Sequence, residues 1–238
     1  MVDFRQFEQN LQALRGRVAA AAAACGRDPK DVKILPVTKT HPVDAVVFAA
    51  RAGFASVGEN KVQEAVQKMA QAESTTASGM HWELIGHLQS NKAKKAVEHF
   101  DRIQSLDSVK LADKIDFEAK KIGKIQRVLL QINSGRDPAK FGAEIEEAEP
   151  LLEAVLSKQN IAVEGLMAIA SLDEDPDSAR RAFDTLRTMR DDFQARFGVS
   201  LPELSMGMTS DLECAIEAGS TMIRVGTFLY GQRFYPEK

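Results

Sequence analysis

Apolar residues in this chain alternate between short, nearly continuous runs and longer stretches in which they recur at steps of three and four. The short runs predict strands, and the longer stretches predict amphipathic helices. The predicted strands are Lys33–Lys39, Phe54–Glu59, Trp82–Gly86, Arg102–Ser105, Arg127–Asn133, Ala162–Ile169, Glu203–Met206 and Met222–Gly226. Because each parallel crossover needs a covering helix, this alternation favours a parallel sheet.

The first stretch of the chain predicts a helix that precedes the sheet. Its apolar positions share one helical face. They are Phe4, Phe7, Leu11, Leu14 and Val18. Helix-favouring alanines follow, and Gly26 marks a helix end. We therefore expect a helix within residues 1–26 that packs on the rest of the fold.

The number of strands and the length of the chain together indicate an architecture. Eight strands in 238 residues fit a (β/α)8 TIM barrel, which usually has about 250 residues. An open doubly wound sheet is the alternative. No linker, repeat or break in composition divides the chain, so we predict a single domain over residues 1–238.

Three prolines bear on these elements. Pro36 removes a backbone donor inside the first predicted strand, and Pro150 interrupts a helical pattern. Asp175 followed by Pro176 instead predicts a helix start, with a cap and then a first-turn proline. The first two prolines are the points at which the pattern conflicts with the predicted elements.

Charge and composition narrow the classes of function. The formal net charge is -3 and the isoelectric point is near 5.9. Proteins that bind nucleic acid usually carry a basic footprint, so we expect no nucleic-acid partner. The one dense basic run, Lys92–Lys95, is explained by a solvated helix face.

The cysteines, histidines and apolar runs suggest no disulfide framework, metal site or membrane span. Cys25 and Cys214 are far apart, and the four histidines have no ligand spacing. The longest apolar run, Val18–Cys25, is too short to cross a bilayer. The N-terminus does not resemble a signal peptide. We expect a reduced, cytoplasmic protein.

The first predicted strand ends in a lysine. Active sites of barrels lie at the carboxyl ends of the strands, and Lys39 follows the apolar residues Ile34, Leu35 and Val37. Desolvation at the mouth of an apolar barrel favours the neutral amine, which is the form that condenses with an aldehyde. The alternative is a lysine that extends its charged end into water.

The last two strands end in loops that suit a phosphate. Gly226 allows close approach to the backbone, and Thr227 offers a hydroxyl and an amide. The loop Ser205–Asp211 is similarly rich in small and hydroxyl residues, although such loops also serve as helix caps. Arg224 lies within the last strand, where it either pairs with a carboxylate or contacts the ring nitrogen of a ligand.

Two further strand ends carry polar side chains. Asn60 either reaches a ligand or caps the helix that follows it. After the third strand, His87, Gln89 and Asn91 are candidates for the polar lining of a site.

Several blocks at these strand ends resemble, in chain order, the family of pyridoxal phosphate homeostasis proteins, relatives of the barrel domain of alanine racemase. The matching blocks are Val37–Thr40, Val57–Asn60 with Val62–Glu64, Ile85–Lys92, Gly165–Ile169, Leu204–Met208 and Gly219–Thr227. The resemblance implies an alanine racemase N-terminal domain-like barrel that binds pyridoxal 5′-phosphate (PLP).

The resemblance also implies roles for residues of this chain. Lys39 would carry PLP as a Schiff base, and Arg224 would face the pyridine nitrogen. Asn60 would line the cofactor. The implied phosphate contacts come from Ser205, Gly226 and Thr227, with the backbone of Met208 and Thr209 nearby. Two positions depart from the family pattern: Glu83 replaces a histidine that many relatives have, and Thr209 replaces a common serine.

The implied role is to bind, buffer or deliver PLP in intracellular vitamin B6 and amino-acid homeostasis. We expect a monomer, with PLP-dependent apoenzymes as candidate recipients. A racemase needs a base on each face of the substrate carbon. The chain ends at Lys238 and its only tyrosines are Tyr230 and Tyr235, so we expect no second domain that would supply a base. A carrier is favoured over a racemase of low activity that uses water or Tyr230, and over a scaffold that binds no PLP.

Overall fold

Eight parallel strands surrounded by helices form the fold in the computed structural model, which describes residues 1–170 and 177–232. The strands are β1 Lys33–Pro36, β2 Ser56–Glu59, β3 His81–Leu84, β4 Arg102–Leu106, β5 Gln126–Gln131, β6 Ile161–Met167, β7 Glu203–Ser205 and β8 Met222–Val225. All eight predicted strands are present. Most were predicted a few residues too long at the carboxyl end, where the chain leaves the ladder to build loops.

Helices follow the strands in the order expected of a barrel. Within the described residues they are α1 Phe4–Ala24, α2 Asp44–Arg51, α3 Val62–Ala72, α4 Ala93–His99, α5 Val109–Lys121, α6 Ile145–Leu156, α7 Ser178–Phe197, α8 Leu212–Glu217 and α9 Thr227–Tyr230. The helix α6 continues through Pro150. The predicted start at Asp175–Pro176 lies outside the described residues. In residues 1–170 and 177–232, no helix is long and apolar enough to cross a membrane.

The strands pair in an order that closes into a barrel. Each strand from β2 to β7 lies beside its successor in sequence, and β8 pairs in parallel with β1. Between β1 and β2 the contact is a bridge from Val37 to Gly58, with Thr38 N–H donating to the Gly58 carbonyl at 3.0 Å. The predicted (β/α)8 barrel is confirmed, and the doubly wound alternative is wrong.

The pairing between β1 and β2, which we call the β1–β2 seam, has few hydrogen bonds, and the sequence explains why. Lys33 N–H donates to Thr221 and Val37 N–H to Val225, so this alternating set of residues bonds towards β8. The intervening residue Pro36 faces the β2 side and has no N–H to give. A cavity of about 300 Å³ opens at this seam near the amino ends of the strands. Pro36 therefore removes one hydrogen bond from the pairing between β1 and β2.

The N-terminal helix α1 packs on the last two described helices, α8 and α9. Its buried residues pack against α8 and α9 in a core cluster separate from the main one. Its polar contacts there include a bond from Asn10 Nδ2 to the Leu229 carbonyl at 3.1 Å and one from Arg17 Nε to Glu213 at 2.7 Å. The helix thus supports the two loops that follow β7 and β8.

The lower half of the barrel interior is charged and paired. Arg102, buried at the centre, binds both carboxylate oxygens of Glu83, at 2.8 and 3.0 Å, and also contacts Glu164 and Glu203. Burial alone would lower the pKa of Arg102, but the charges and hydrogen bonds of Glu83, Glu203 and Glu164 together outweigh it and raise the pKa. Glu83 is thus a buried partner of Arg102.

We predict that Gly165→Ala strongly lowers the free energy of unfolding. A Cβ at Gly165 would lie 1.9 Å from the Glu203 carbonyl oxygen, so β6 and β7 would have to separate. We expect a loss of about 3 kcal/mol, measured by urea denaturation followed by circular dichroism.

The control is Gly16→Ala within α1, where a Cβ meets nothing within 4 Å. This variant should gain about 0.5–1 kcal/mol because alanine favours a helix. A Gly165→Ala protein as stable as the unaltered protein would contradict the close β6–β7 approach.

Candidate functional site

A cavity of about 400 Å³ lies at the carboxyl end of the barrel. This volume falls in the range of small-molecule sites. It is lined by Val37, Lys39, His41, Asn60, Ile85, Ile169, Met208, Thr209, Ser210, Arg224, Gly226 and Thr227. Seven of the eight predicted site residues are therefore brought together, and the eighth, Ser205, lies outside the lining.

The cavity runs from an exposed rim to a buried floor. Ser210 and Thr227 at the rim are exposed, Lys39 is half-buried, and Arg224 is only 4% exposed. Apolar side chains of Val37, Ile85 and Ile169 belong to the lining. A ligand here would place one end against a buried cation and another in contact with water.

Lys39 lies just beyond β1, in a segment that α3 holds from below. Thr40 has a left-handed φ of 65°, which is unusual for a β-branched residue and costs about 1–3 kcal/mol. Its N–H donates to Glu64 Oε1 at 2.6 Å. On the other side of Lys39, the Thr38 carbonyl accepts a bond of 2.6 Å from Lys68 Nζ.

Lys68 belongs to a buried charge cluster beneath this segment. Its Nζ also donates to Glu59 Oε1 at 2.7 Å and to Glu64 Oε1 at 2.9 Å. Burial raises the pKa of Glu59 in spite of Lys68. Burial would also raise the pKa of Glu64, but the bonds from Lys68 and the Thr40 N–H outweigh it and lower the pKa.

Arg224 is held by neutral acceptors. Nη1 donates to the Ser205 carbonyl at 2.6 Å and to Ser205 Oγ at 2.8 Å, and Nη2 donates to the Ala168 carbonyl at 2.8 Å. Among the described residues no carboxylate forms an ion pair with it. Burial lowers the pKa of Arg224 to about 10, so the guanidinium keeps its proton at neutral pH. The ion-pair interpretation of Arg224 therefore has no carboxylate partner in residues 1–170 and 177–232.

Ser205 is fully buried below Arg224. Its hydroxyl donates to Gln104 Oε1 at 2.6 Å while accepting from Arg224. Gln104 Nε2 in turn donates to Glu83 Oε2 at 2.6 Å. Because a carboxylate only accepts, Glu83 orients the Gln104 amide, and the amide orients the Ser205 hydroxyl. This chain of bonds joins the charged lower interior to Arg224, and it uses the hydroxyl that was predicted to contact phosphate.

Asn60 is brought to the cavity by a close approach of two strand ends. A Cβ at Gly86 would lie 2.3 Å from the Asn60 carbonyl oxygen, so only glycine lets β3 end against this residue. The N-cap of α3 is Lys61, without a side-chain bond, so the predicted capping role of Asn60 is wrong. Asn60 Oδ1 is buried and has no partner among the described residues. It is an acceptor available to a ligand.

The loop after β7 is held at three points. Met208 N–H donates to Asp211 Oδ1 at 2.5 Å, and Arg17 Nη2 of α1 donates to the Thr209 carbonyl at 3.0 Å. The Gly207 carbonyl accepts from the Arg224 N–H at 3.0 Å. The loop therefore meets the start of α9 at Gly226 in a fixed arrangement at the cavity rim.

Two polar lining residues were not among the eight predicted site residues, and three other candidates lie elsewhere. His41 and Ser210 line the cavity. Ser210 belonged to the predicted hydroxyl-rich loop, whereas a lone histidine after a strand gave no signal. His87 stacks on Phe141 with ring centroids 4.0 Å apart and contacts Asp107 at 3.2 Å. Neither it nor the predicted candidates Gln89 and Asn91 line the cavity.

Tyr230, a potential second base, lies outside the cavity lining. Its ring packs between Phe7 and His41, with centroid distances of 5.2 and 5.3 Å. The side chain is 0% exposed, and its hydroxyl has no partner among the described residues. Burial raises the pKa of Tyr230 far above its ordinary value. This geometry does not suit a residue that exchanges protons with a substrate.

Known proteins share both the sequence pattern and the barrel fold of this chain. Residues 9–234 match the family model of the alanine racemase N-terminal domain. The pyridoxal phosphate homeostasis protein of Vibrio alginolyticus is 36% identical over 229 residues, covering 96% of this chain and 98% of that protein. PipY of Synechococcus elongatus, solved with PLP bound, is 37% identical with a TM-score of 0.78, covering 90% of this chain and 100% of PipY.

A more distant structure shares the fold. Alanine racemase of Clostridium difficile has a TM-score of 0.77 at 16% identity, covering 98% of this chain and 58% of that one. The family match and the shared fold thus define a barrel of the alanine racemase type. Within that class, the chain belongs to the family of pyridoxal phosphate homeostasis proteins. The resemblance drawn from the strand-end blocks is confirmed.

We predict that Tyr230→Phe raises the free energy of unfolding by about 1 kcal/mol, because it removes a buried hydroxyl without a partner while keeping the ring. Urea denaturation of the two proteins measures the difference. A loss of stability would show that the hydroxyl is bonded in solution, and would contradict this account of Tyr230.

Proposed function

We propose that this chain binds PLP at the barrel mouth, attached through Lys39, and acts as a carrier in PLP homeostasis. The observation that carries the proposal is that Lys39 and a buried, protonated Arg224 line one cavity of about 400 Å³. The names of the curated relatives and the PLP-bound structure of PipY support the choice of cofactor.

The donor set of the cavity fits PLP. When bound, PLP supplies an aldehyde whose carbon bonds to an amine nitrogen while the aldehyde oxygen leaves as water. Lys39 is the amine in the lining, and the apolar side chains of Ile85 and Ile169 limit the access of water. Asn60 Oδ1, buried without a partner among the described residues, is available to a polar group of the ligand.

Arg224 suits the ring nitrogen of the cofactor. Its three bonds to Ser205 and Ala168 use three of the five N–H donors of a guanidinium. A protonated arginine donates to a pyridine nitrogen and leaves that nitrogen unprotonated, which weakens it as an electron sink. This arrangement favours holding the cofactor over carbanion chemistry.

The phosphate of PLP is assigned to the rim. Gly226 and Thr227 lie at the start of α9, and Met208 and Thr209 lie in the loop that meets it. The backbone N–H groups at the start of α9 and the Thr227 hydroxyl suit an anion at this junction, whereas the Met208 N–H is already bonded to Asp211. We assign Ser205 to the orientation of Arg224, because its hydroxyl is bonded to Gln104 and Arg224.

The carrier role is favoured over a racemase by the position of Tyr230, which is buried outside the cavity. Incubating the PLP-loaded protein with single L-amino acids separates the two. A carrier produces no D-isomer beyond one equivalent, whereas repeated turnover would establish an enzyme. Monomeric state, cytoplasmic location and delivery to PLP-dependent apoenzymes stay predictions of the same proposal.

We predict that Lys39→Ala abolishes the visible absorbance of the PLP-loaded protein and leaves the fold intact, because Lys39 is the one amine among the described lining residues. Lys61→Ala, at an exposed lysine just before α3, is the matched control and should keep the absorbance. Borohydride reduction followed by peptide mass mapping locates the attachment. Label on a different lysine would overturn the assignment.

We predict that Arg224→Gln shifts the absorbance maximum of bound PLP while about one equivalent of PLP is retained, because an amide cannot supply the positive charge at the ring nitrogen. The absorbance spectrum and the phosphate content measure the two effects. Arg187→Gln, at an exposed arginine of α7, is the control. Complete loss of PLP would instead make Arg224 an anchor of the phosphate or of the fold.

A further inference from the structure

We propose that Glu64 and Lys68, one turn apart on α3, are positioning residues that aim Lys39 into the cavity. We call this pair the α3 clamp. The inference rests on the proposed attachment of PLP to Lys39. Neither Glu64 nor Lys68 lines the cavity, so both would act on PLP only through the direction of the Lys39 side chain.

The α3 clamp holds the two peptide groups that flank Lys39. Lys68 Nζ donates to the carbonyl of Thr38, at 2.6 Å, and Glu64 Oε1 accepts from the N–H of Thr40, also at 2.6 Å. The two side chains bond to each other at 2.9 Å. The main chain on both sides of Lys39 is therefore fixed by one helix.

The clamp is itself anchored in the core. Lys68 is 5% exposed, and its three N–H donors have acceptors in Thr38, Glu59 and Glu64. Thr38 is tied in turn, since its Oγ1 donates to Glu59 Oε1 at 2.6 Å. A buried ammonium with every donor satisfied and two carboxylates beside it is held in one geometry.

The conformation of the backbone after Lys39 needs a hydrogen bond that stabilises it. Thr40 has the left-handed φ of 65° that a threonine adopts only when its surroundings impose it. Without the Glu64 acceptor, the chain is free to relax towards an ordinary conformation. Such a rotation turns the direction in which the Lys39 side chain leaves the backbone. Attack on an aldehyde requires the two reacting atoms to lie about 3–3.5 Å apart, so this direction matters for attachment.

The test compares a ligand that attaches with one that does not. Glu64→Met keeps the length of the side chain but removes the acceptor, whereas Glu64→Gln keeps an acceptor oxygen. Gln63→Ala, at an exposed neighbour on α3, is the control. PLP attachment is titrated by visible absorbance. Binding of pyridoxine 5′-phosphate, which has an alcohol in place of the aldehyde, is measured by calorimetry.

We expect Glu64→Met to weaken PLP attachment about tenfold while binding of the alcohol changes less than about twofold. Glu64→Gln and Gln63→Ala should attach PLP nearly as the unaltered protein does. Circular dichroism checks the fold, and Glu64→Ala replaces the methionine variant if that variant does not fold.

Two results would overturn the α3 clamp. Equal weakening for both ligands would show that Glu64 supports the cavity as a whole, and unchanged attachment in Glu64→Met would show that the Thr40 contact has no role. Failure of the proposed function looks different. In that case the unaltered protein itself shows no absorbance with PLP, whatever residue stands at position 64.

Discussion

The ladder between the first and last strands is the contact on which the rest of the site depends. Residues Lys33 to Pro36 pair in register with Met222 to Val225, so Leu35 lies beside Arg224. In a parallel barrel the carboxyl ends of all strands meet at one mouth. The loop that carries Lys39 therefore leaves the sheet next to the loop that begins at Gly226. Residues nearly a whole chain apart become neighbours because this one ladder forms.

The barrel interior contains two buried arginines whose hydrogen-bond partners differ in charge. At the lower end, Arg102 is neutralised by carboxylates, chiefly Glu83. Near the mouth, Arg224 is held by carbonyl and hydroxyl oxygens instead, and its charge is left uncompensated by direct contacts among the described residues. Burying an unpaired charge is expensive. The arrangement is understandable if a ligand supplies the missing acceptor, the role proposed above for the ring nitrogen of PLP.

Between these cations runs the chain Glu83, Gln104 and Ser205. Because the Glu83 carboxylate can only accept, the Gln104 amide must turn its NH2 group towards Glu83. Its oxygen then accepts from the Ser205 hydroxyl. Glu83, which stands where the family resemblance implies a histidine, is thus one end of an ordered polar network. On the β2 side, the α3 clamp is proposed to orient Lys39 as this network orients Arg224. The two groups proposed to touch the cofactor are both placed by buried polar residues beneath them.

The sequence by itself predicted the number of strands and their order along the chain. It also singled out Lys39, after the first strand, and Arg224, in the last strand, as candidate site residues. Apolar periodicity is local, and polar residues that end apolar runs can be read without knowing which strands pair. Only the tertiary structure decided that Ser205 bonds to Gln104, that Lys68 reaches Thr38, that His41 lines the cavity and that Tyr230 is buried. These facts depend on contacts between side chains distant in sequence. Their donors and acceptors are chosen by packing, which no local pattern records.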